Sequence, residues 1–398
     1  MTRKEISRYG LIEQVENQRV RQMDAAEMLG ISDRHFRRLL KAYREEGPSG
    51  LLSKKRGKAS NRKTPEKLRQ RAIGLIKKNY QGFGPSLATE KLRERHKIKV
   101  SNETVRKWMI EEGFWKARKQ KKLKVYQRRN RRSKEGELIQ IDGSAHDWFE
   151  GRRGKCCLLG FIDDATSKIM HLKFVEVEST RGYLQSLREY IEKYGKPECC
   201  YSDRHSIFRI NQIEEGYKKK GITQFGRALK ELDIELICAN TPQAKGRIER
   251  LFNTLQDRLV KELRLEGISS IEGGNKYLTK YMEKHNKKFG VEAEKKENGH
   301  RKVGTDEDLG KTLCYKEERI ISKNLEISYG GRVIQIQEEK EVNRLRRSKA
   351  TVIEELDGTV HIQHQGRELK YKELLVRDHQ GRILDRKGIT LGKRRKIA

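Results

Sequence analysis

Two apolar runs that each stop on an aspartate, followed by a turn and helix that carry a glutamate, constrain this chain more than any other feature. They are Leu138-Ile139-Gln140-Ile141-Asp142-Gly143, Cys199-Cys200-Tyr201-Ser202-Asp203-Arg204, and Asn240-Thr241-Pro242-Gln243-Ala244-Lys245-Gly246-Arg247-Ile248-Glu249-Arg250. The first two have the length and composition of buried strands. The third reads as a turn opening a helix over 242–265, with Glu249 on its second turn. Around them the sequence predicts strands over 138–142, 157–162 and 169–177, then a helix over 180–194 and a strand over 198–202. A short helix near 225–232 and a strand over 234–238 lead into the closing helix. That order specifies an α/β unit with a mixed five-stranded sheet, placed at residues 135–290.

The acids matter together because of what three carboxylates can hold. Mg²⁺, or Mn²⁺ in its place, takes hard oxygen ligands, needs one or two carboxylates per ion and borrows phosphate oxygens for the rest. Asp142, Asp203 and Glu249 therefore suffice for two ions about 3.5–4 Å apart, the arrangement that serves phosphoryl transfer. The aspartates meet if their strands are neighbours, and Glu249 reaches them if its helix crosses that edge. Other acids lie nearby. Asp163 and Asp164 occupy a turn, where aspartate bonds to local backbone. Asp147 and Glu150 lie beyond the strand carrying Asp142. His205, two residues past Asp203, is open to either a site or a surface role.

Lys and Arg total 91 against 57 acids, a formal net charge of +34, which predicts strong, salt-sensitive attraction to polyanions. No apolar run is long enough to span a bilayer and the N-terminus has no signal-peptide core, so a cytoplasmic, nucleoid-associated protein is expected, with no membrane partner. The six cysteines include two adjacent pairs in strand-like runs, where neighbouring side chains point to opposite faces. They read as buried reduced thiols rather than a disulfide or metal framework.

Upstream, residues 1–60 have a helix-turn-helix pattern: Ala26 precedes the turn glycine Gly30, Phe36 follows as an apolar anchor, and Ser32 can cap the second helix. With Phe36, Leu39 and Leu40 inward, Arg34, His35, Arg37 and Arg38 face outward as a groove-reading helix requires. Residues 61–117 form a second helical unit, helix-turn-helix-like but without the turn glycine. Residues 118–134 are a basic linker, self-repelling unless phosphates neutralise it. A polar connector, 291–318, precedes short β-type runs with glycine turns in 319–398, where a small β-barrel and a basic tail at 392–396 are expected.

These motifs resemble the DDE transposases and integrases with a retroviral-integrase-like core, most closely those of bacterial insertion sequences. The phrases that carry the likeness are Ile139-Gln140-Ile141-Asp142-Gly143, Phe161-Ile162-Asp163-Asp164-Ala165-Thr166, Tyr201-Ser202-Asp203, and Asn240-Thr241-Pro242-Gln243 with Gly246 three residues before Glu249. The resemblance implies an RNase H-like core and Asp142, Asp203 and Glu249 as ligands of two Mg²⁺ or Mn²⁺ ions. It also implies cleavage at the ends of a mobile element and joining of the freed 3′-hydroxyl to target DNA. Double-stranded DNA would be the substrate and a homo-oligomer on DNA the working form. Lys245, Arg247 and Arg250 would hold DNA phosphates. The spacing from Asp203 to Glu249 is longer than the family's usual one, and the insertion near 210–221 accounts for the excess. The zinc module that precedes retroviral cores is absent. Two other readings compete: a DNA-binding regulator with an inactive core, and an RNase H-like nuclease without strand transfer.

Overall fold

The computed structural model describes residues 2–54, 64–116, 130–210, 221–239, 245–338 and 342–373, with two further strand pieces at 376–377 and 383–384. The tail at 392–396, most of the 118–134 linker, residues 240–244 and most of the 210–221 insertion lie outside them. The chain divides into two compact units, Met1–Ala117 and Arg118–Ala398.

In the first unit, α1 (Arg3–Glu16), α2 (Gln22–Met28) and α3 (Asp33–Glu46) enclose a core of Ile12, Ala25, Ala26, Phe36 and Leu40. The α2–α3 turn needs a residue at positive φ, and Gly30 supplies it at +61°. Ser32 then caps α3 by accepting a hydrogen bond from the His35 amide. Three more helices follow: α4 (Glu66–Asn79), α5 (Pro85–His96) and α6 (Asn102–Glu111). Their α5–α6 turn repeats the first device with a different residue. Lys97 takes the left-handed conformation at φ +59° and Ser101 caps α6, so the missing glycine did not mean a missing turn.

The second unit is built on a sheet of order β3-β2-β1-β4-β5, formed by β1 (Leu138–His146), β2 (Cys156–Asp163), β3 (Ile169–Val175), β4 (Cys199–Ser202) and β5 (Glu235–Cys238). β1, β2 and β3 pair antiparallel, whereas β1, β4 and β5 run parallel. The parallel pairs are connected through α7 (Thr180–Tyr194) and α8 (Gln224–Glu231), as crossovers between parallel strands require. This is the strand arrangement of an RNase H-like core. One sheet face packs on α7 and α8 through Ile139, Ile141, Leu159, Leu187 and Leu229. The other packs on α9 (Gly246–Leu265) and α10 (Ile271–Phe289) through Leu158, Ile162, Phe252, Leu255 and Leu278. Alternation splits the adjacent thiols as well: Cys156 faces the second core and Cys157 the first. All six cysteines are free.

Three features around this sheet differ from the sequence expectation. β1 runs on past Asp142 to His146, because its antiparallel ladder with β2 continues to the His146–Cys156 pair after the parallel ladder with β4 has stopped at Gln140–Tyr201. Helix α10 was not foreseen, although Ser270 caps it and Leu278, Tyr281 and His285 recur at helical spacing on its buried side. Residues 291–318 are no free connector. They lie along the core as a belt, tied by Val291 N to Thr166 O (2.9 Å), Gly299 N to Glu135 O (2.8 Å) and reciprocal bonds between Arg301 and Lys196. Gly195, at φ +95°, admits the belt, since a Cβ there would stand 2.6 Å from the Arg301 carbonyl oxygen. Leu313 completes the core beneath α7 and α8.

The belt ends in β6 (Tyr315–Ile320), followed by β7 (Glu326–Tyr329), β8 (Arg332–Ile336), β9 (Lys349–Glu354), β10 (Val360–His364), β11 (Arg367–Glu368) and β12 (Tyr371–Glu373). They form two sheets, β11-β10-β9-β6 and β12-β8-β7, around one core of Ile327, Ile334, Val352 and Ile362. The sheets do not join into the expected closed barrel among the described residues.

Candidate active site

The register of the central sheet decides which acids meet. Gln140 of β1 pairs with Tyr201 of the parallel strand β4, and each strand's aspartate lies two residues further on. Asp142 and Asp203 are therefore neighbours where the ladder opens. Asp142 is largely buried, and its Oδ1 accepts the Gly143 amide at 3.1 Å. Asp203 follows β4 directly and holds its carboxylate by accepting the His205 amide at 2.9 Å. That contact gives His205 a backbone role.

A single cation joins the two acids. Lys245 Nζ lies 3.0 Å from Asp142 Oδ1 and 3.6 Å from Asp203 Oδ2, and the lysine side chain is only 5% exposed. Burial pushes the Asp142 carboxyl above the ordinary carboxylate range; Lys245 pulls it back and Asp203 pushes it up again. Lys245 immediately precedes α9, and Gly160, the cross-strand partner of Asp142, lets that helix lie close. A Cβ at 160 would stand 3.1 Å from the Phe252 ring.

Glu249 is on the first turn of α9, not the second, and is exposed. Among the described residues no group of three His, Cys, Asp or Glu side chains stands ready around one metal position. The structure thus brings two of the three predicted acids together and leaves the third outside. What it does show is that the Asp142–Asp203 gap accepts a cation between oxygen donors. Those donors are of the hard type Mg²⁺ uses, in the number it takes from protein.

The remaining candidates divide cleanly. Arg250 is exposed, its Nε donating to the Gly246 carbonyl. Arg247 is not a free cation: it donates to the fully buried Asp164 at 2.8 Å, as Lys245 is committed to Asp142. Both were expected on a DNA-facing surface, and the buried acids beneath the start of α9 have drawn them inward. Arg34, His35, Arg37 and Arg38 are all exposed on α3. Asp163 is buried and accepts from the Gly136 amide and from the amide and hydroxyl of Thr166, a structural role. Asp147 caps its own turn at Gly151, and Glu150 pairs with Arg152 and Arg264.

Sequence reasoning missed a buried clamp. Gln140 donates to Asp164 Oδ1 at 2.7 Å and accepts the Ile248 amide at 3.3 Å, while Asp164 also takes Arg247 and the Arg132 amide. This network ties the first turn of α9 to β1, two residues before Asp142. Its one signal in the sequence was a glutamine between Ile139 and Ile141, in a run that is otherwise apolar from Leu138 up to Asp142.

Comparison with known proteins fits this architecture. Residues 7–59 match a family model described as a helix-turn-helix domain, and residues 35–109 one described as a homeodomain-like domain. The Sinorhizobium fredii (strain NBRC 101917 / NGR234) protein named as transposase y4bF is 40% identical over 373 residues, covering 94% of this chain and 81% of the relative. The Streptococcus pneumoniae transposase for insertion sequence IS1202 is 28% identical over 415 aligned residues, covering 94% and 87%. Among solved structures, the HTLV-2 integrase catalytic core domain in complex with magnesium matches 39% of this chain and 91% of its own, at 15% identity and a TM-score of 0.30. The simian T-cell lymphotropic virus intasome in complex with PP2A regulatory subunit B56 gamma matches 75% and 98%, at 12% identity and 0.33. Likeness at that level adds nothing to what the strand order already gives. The identity to y4bF across most of both chains is decisive, and this chain belongs to the insertion-sequence transposases.

Proposed function

We propose that this transposase binds the ends of its mobile element as double-stranded DNA and cuts and joins DNA strands at the Asp142–Asp203 pair. The observation that carries the reading is the pair itself: two carboxylates from adjacent parallel strands gripping one cation at 3.0 and 3.6 Å. Asp142 and Asp203 would hold a divalent ion, Mg²⁺ or Mn²⁺. When bound, that ion supplies polarisation of the scissile phosphate and activation of the attacking oxygen. A second ion would need Glu249 to turn inward from its exposed position on α9.

The chain's own residues supply the rest. The His205 and Gly143 amides fix the two carboxylates, and the Gln140–Asp164–Arg247 clamp holds α9 against the strand that bears Asp142. Arg250 is exposed one residue beyond Glu249, positioned for a phosphate. The exposed basic face of α3 offers Arg34, His35, Arg37 and Arg38 to a DNA groove, with the second helix-turn-helix unit beside it in sequence. Joining two ends needs at least two such sites, so a homo-oligomer assembled on DNA is the working form.

The test is metal-dependent joining of a labelled element end to plasmid DNA. Asp142→Asn, Asp203→Asn and Glu249→Gln should each abolish cleavage and joining while end binding persists. Joining that survives Asp142→Asn would sink the assignment. Cutting without joining in the native protein would favour a nuclease, and end binding with neither would favour a regulator.

A further inference from the structure

Lys245 combines two properties. Its ammonium is almost wholly withdrawn from water, and it sits on the two acids proposed to hold a metal. An ammonium removed from solvent persists only if paired, and here both partners are those carboxylates. Two carboxylates against one ammonium leave a negative charge that still attracts cations, yet a divalent ion could not share the gap with an ammonium 3.0 Å from Asp142 Oδ1. The lysine is also placed to leave. It is the residue before α9, its stem is long and flexible, and the exposed Glu249 lies on the first turn beyond it with the exposed Arg250 next in sequence.

We propose that the Lys245 ammonium and a divalent ion compete for Asp142 and Asp203. The lysine holds the acids together before loading and is displaced when the ion enters, which releases it toward the phosphates of bound DNA. This rests on the metal-binding reading of the acid pair and gives that site an internal gate. Ion entry frees a cation for the backbone, and a phosphate that captures the cation opens the acids to the ion. Each binding event therefore favours the other, as linkage requires.

Two measurements on the full chain without DNA test this. In the first, Mn²⁺ is titrated into the wild type, Lys245→Met and Asp142→Asn, with free Mn²⁺ read by electron paramagnetic resonance. Lys245→Met should bind on the order of tenfold tighter than the wild type, since a competing charge is gone, and Asp142→Asn should bind weakly. In the second, the wild-type protein is acetylated with and without saturating Mn²⁺ and Lys245 modification is quantified by peptide mass spectrometry. Lys245 should be protected without Mn²⁺ and several-fold more reactive with it, on the scale expected for a buried amine becoming exposed. If Asp142-dependent Mn²⁺ binding is equally tight in wild type and Lys245→Met, or if Lys245 labelling ignores Mn²⁺, the competition is refuted and the metal site stands. If no chain binds Mn²⁺ through Asp142, the metal reading falls and the gate with it. Should Lys245→Met fail to fold, the labelling of wild-type protein decides alone.

Discussion

Side chains that lose their ordinary chemistry on burial make the residue scale directly measurable. Burial raises the Cys156 thiol to about 11 and the Cys157 and Cys199 thiols to about 12, so none forms the reactive thiolate at neutral pH. The folded protein should leave these three unlabelled by a maleimide within a time that fully labels the denatured chain; rapid labelling in the native state would contradict the buried cores. Two histidines give the opposite dependence. Burial lowers His285 to about 4 and His171 to about 3 from an ordinary value of 6.5. The unfolded chain therefore takes up these protons first as pH falls. Their contribution to stability is complete above pH 6.5 and is lost as pH drops through 4 toward 3. The urea midpoint should decline over that window, and His285→Gln should flatten part of the slope.

At the scale of elements, the first turn of α9 is held by a network rather than by its own cap, since Lys245 makes no side-chain capping bond. Arg247→Met removes the guanidinium that pairs with the fully buried Asp164 at 2.8 Å, and breaking a buried pair costs about 3–5 kcal/mol. Hydrogen exchange should quicken at Ile248 and its neighbours while α10 stays protected. Uniform exchange across both helices would show that the clamp is dispensable. The same network shows where sequence reading stops. Strands with apolar alternation, the helix Thr180–Tyr194 and the acid that follows β4 were legible, because local pattern determines them. Three facts depended on more than the local pattern of residue types. β1 outruns Asp142 because β2 continues to pair with it. Lys97 adopts a conformation usually left to glycine because the α5–α6 turn demands it. Lys245 lies in a basic stretch and reads as surface until the sheet register brings two carboxylates beneath it.

For the whole molecule the belt matters most. Lys196 is buried against Glu307 at 2.5 Å, the Tyr190 hydroxyl meets His300 at 2.6 Å, and Arg227 donates to the Cys314 carbonyl at 2.6 Å. A fragment of residues 130–290 would strand the Lys196 charge and uncover the core that Leu313 closes. We expect it to aggregate or melt well below a fragment of 130–373 in a thermal scan; equal melting temperatures would reduce the belt to decoration. The charge of +34 adds that DNA binding by the full chain should weaken steeply with salt. Viewed along the time axis of protein synthesis, the belt sets a schedule. Domains fold as they emerge, N-terminal first, so the helix-turn-helix units can be complete while the ribosome is still translating the sheet. The core on one face of the sheet stays incomplete until Leu313 has left the exit tunnel. A nascent transposase would therefore be able to hold DNA before its central core has finished packing.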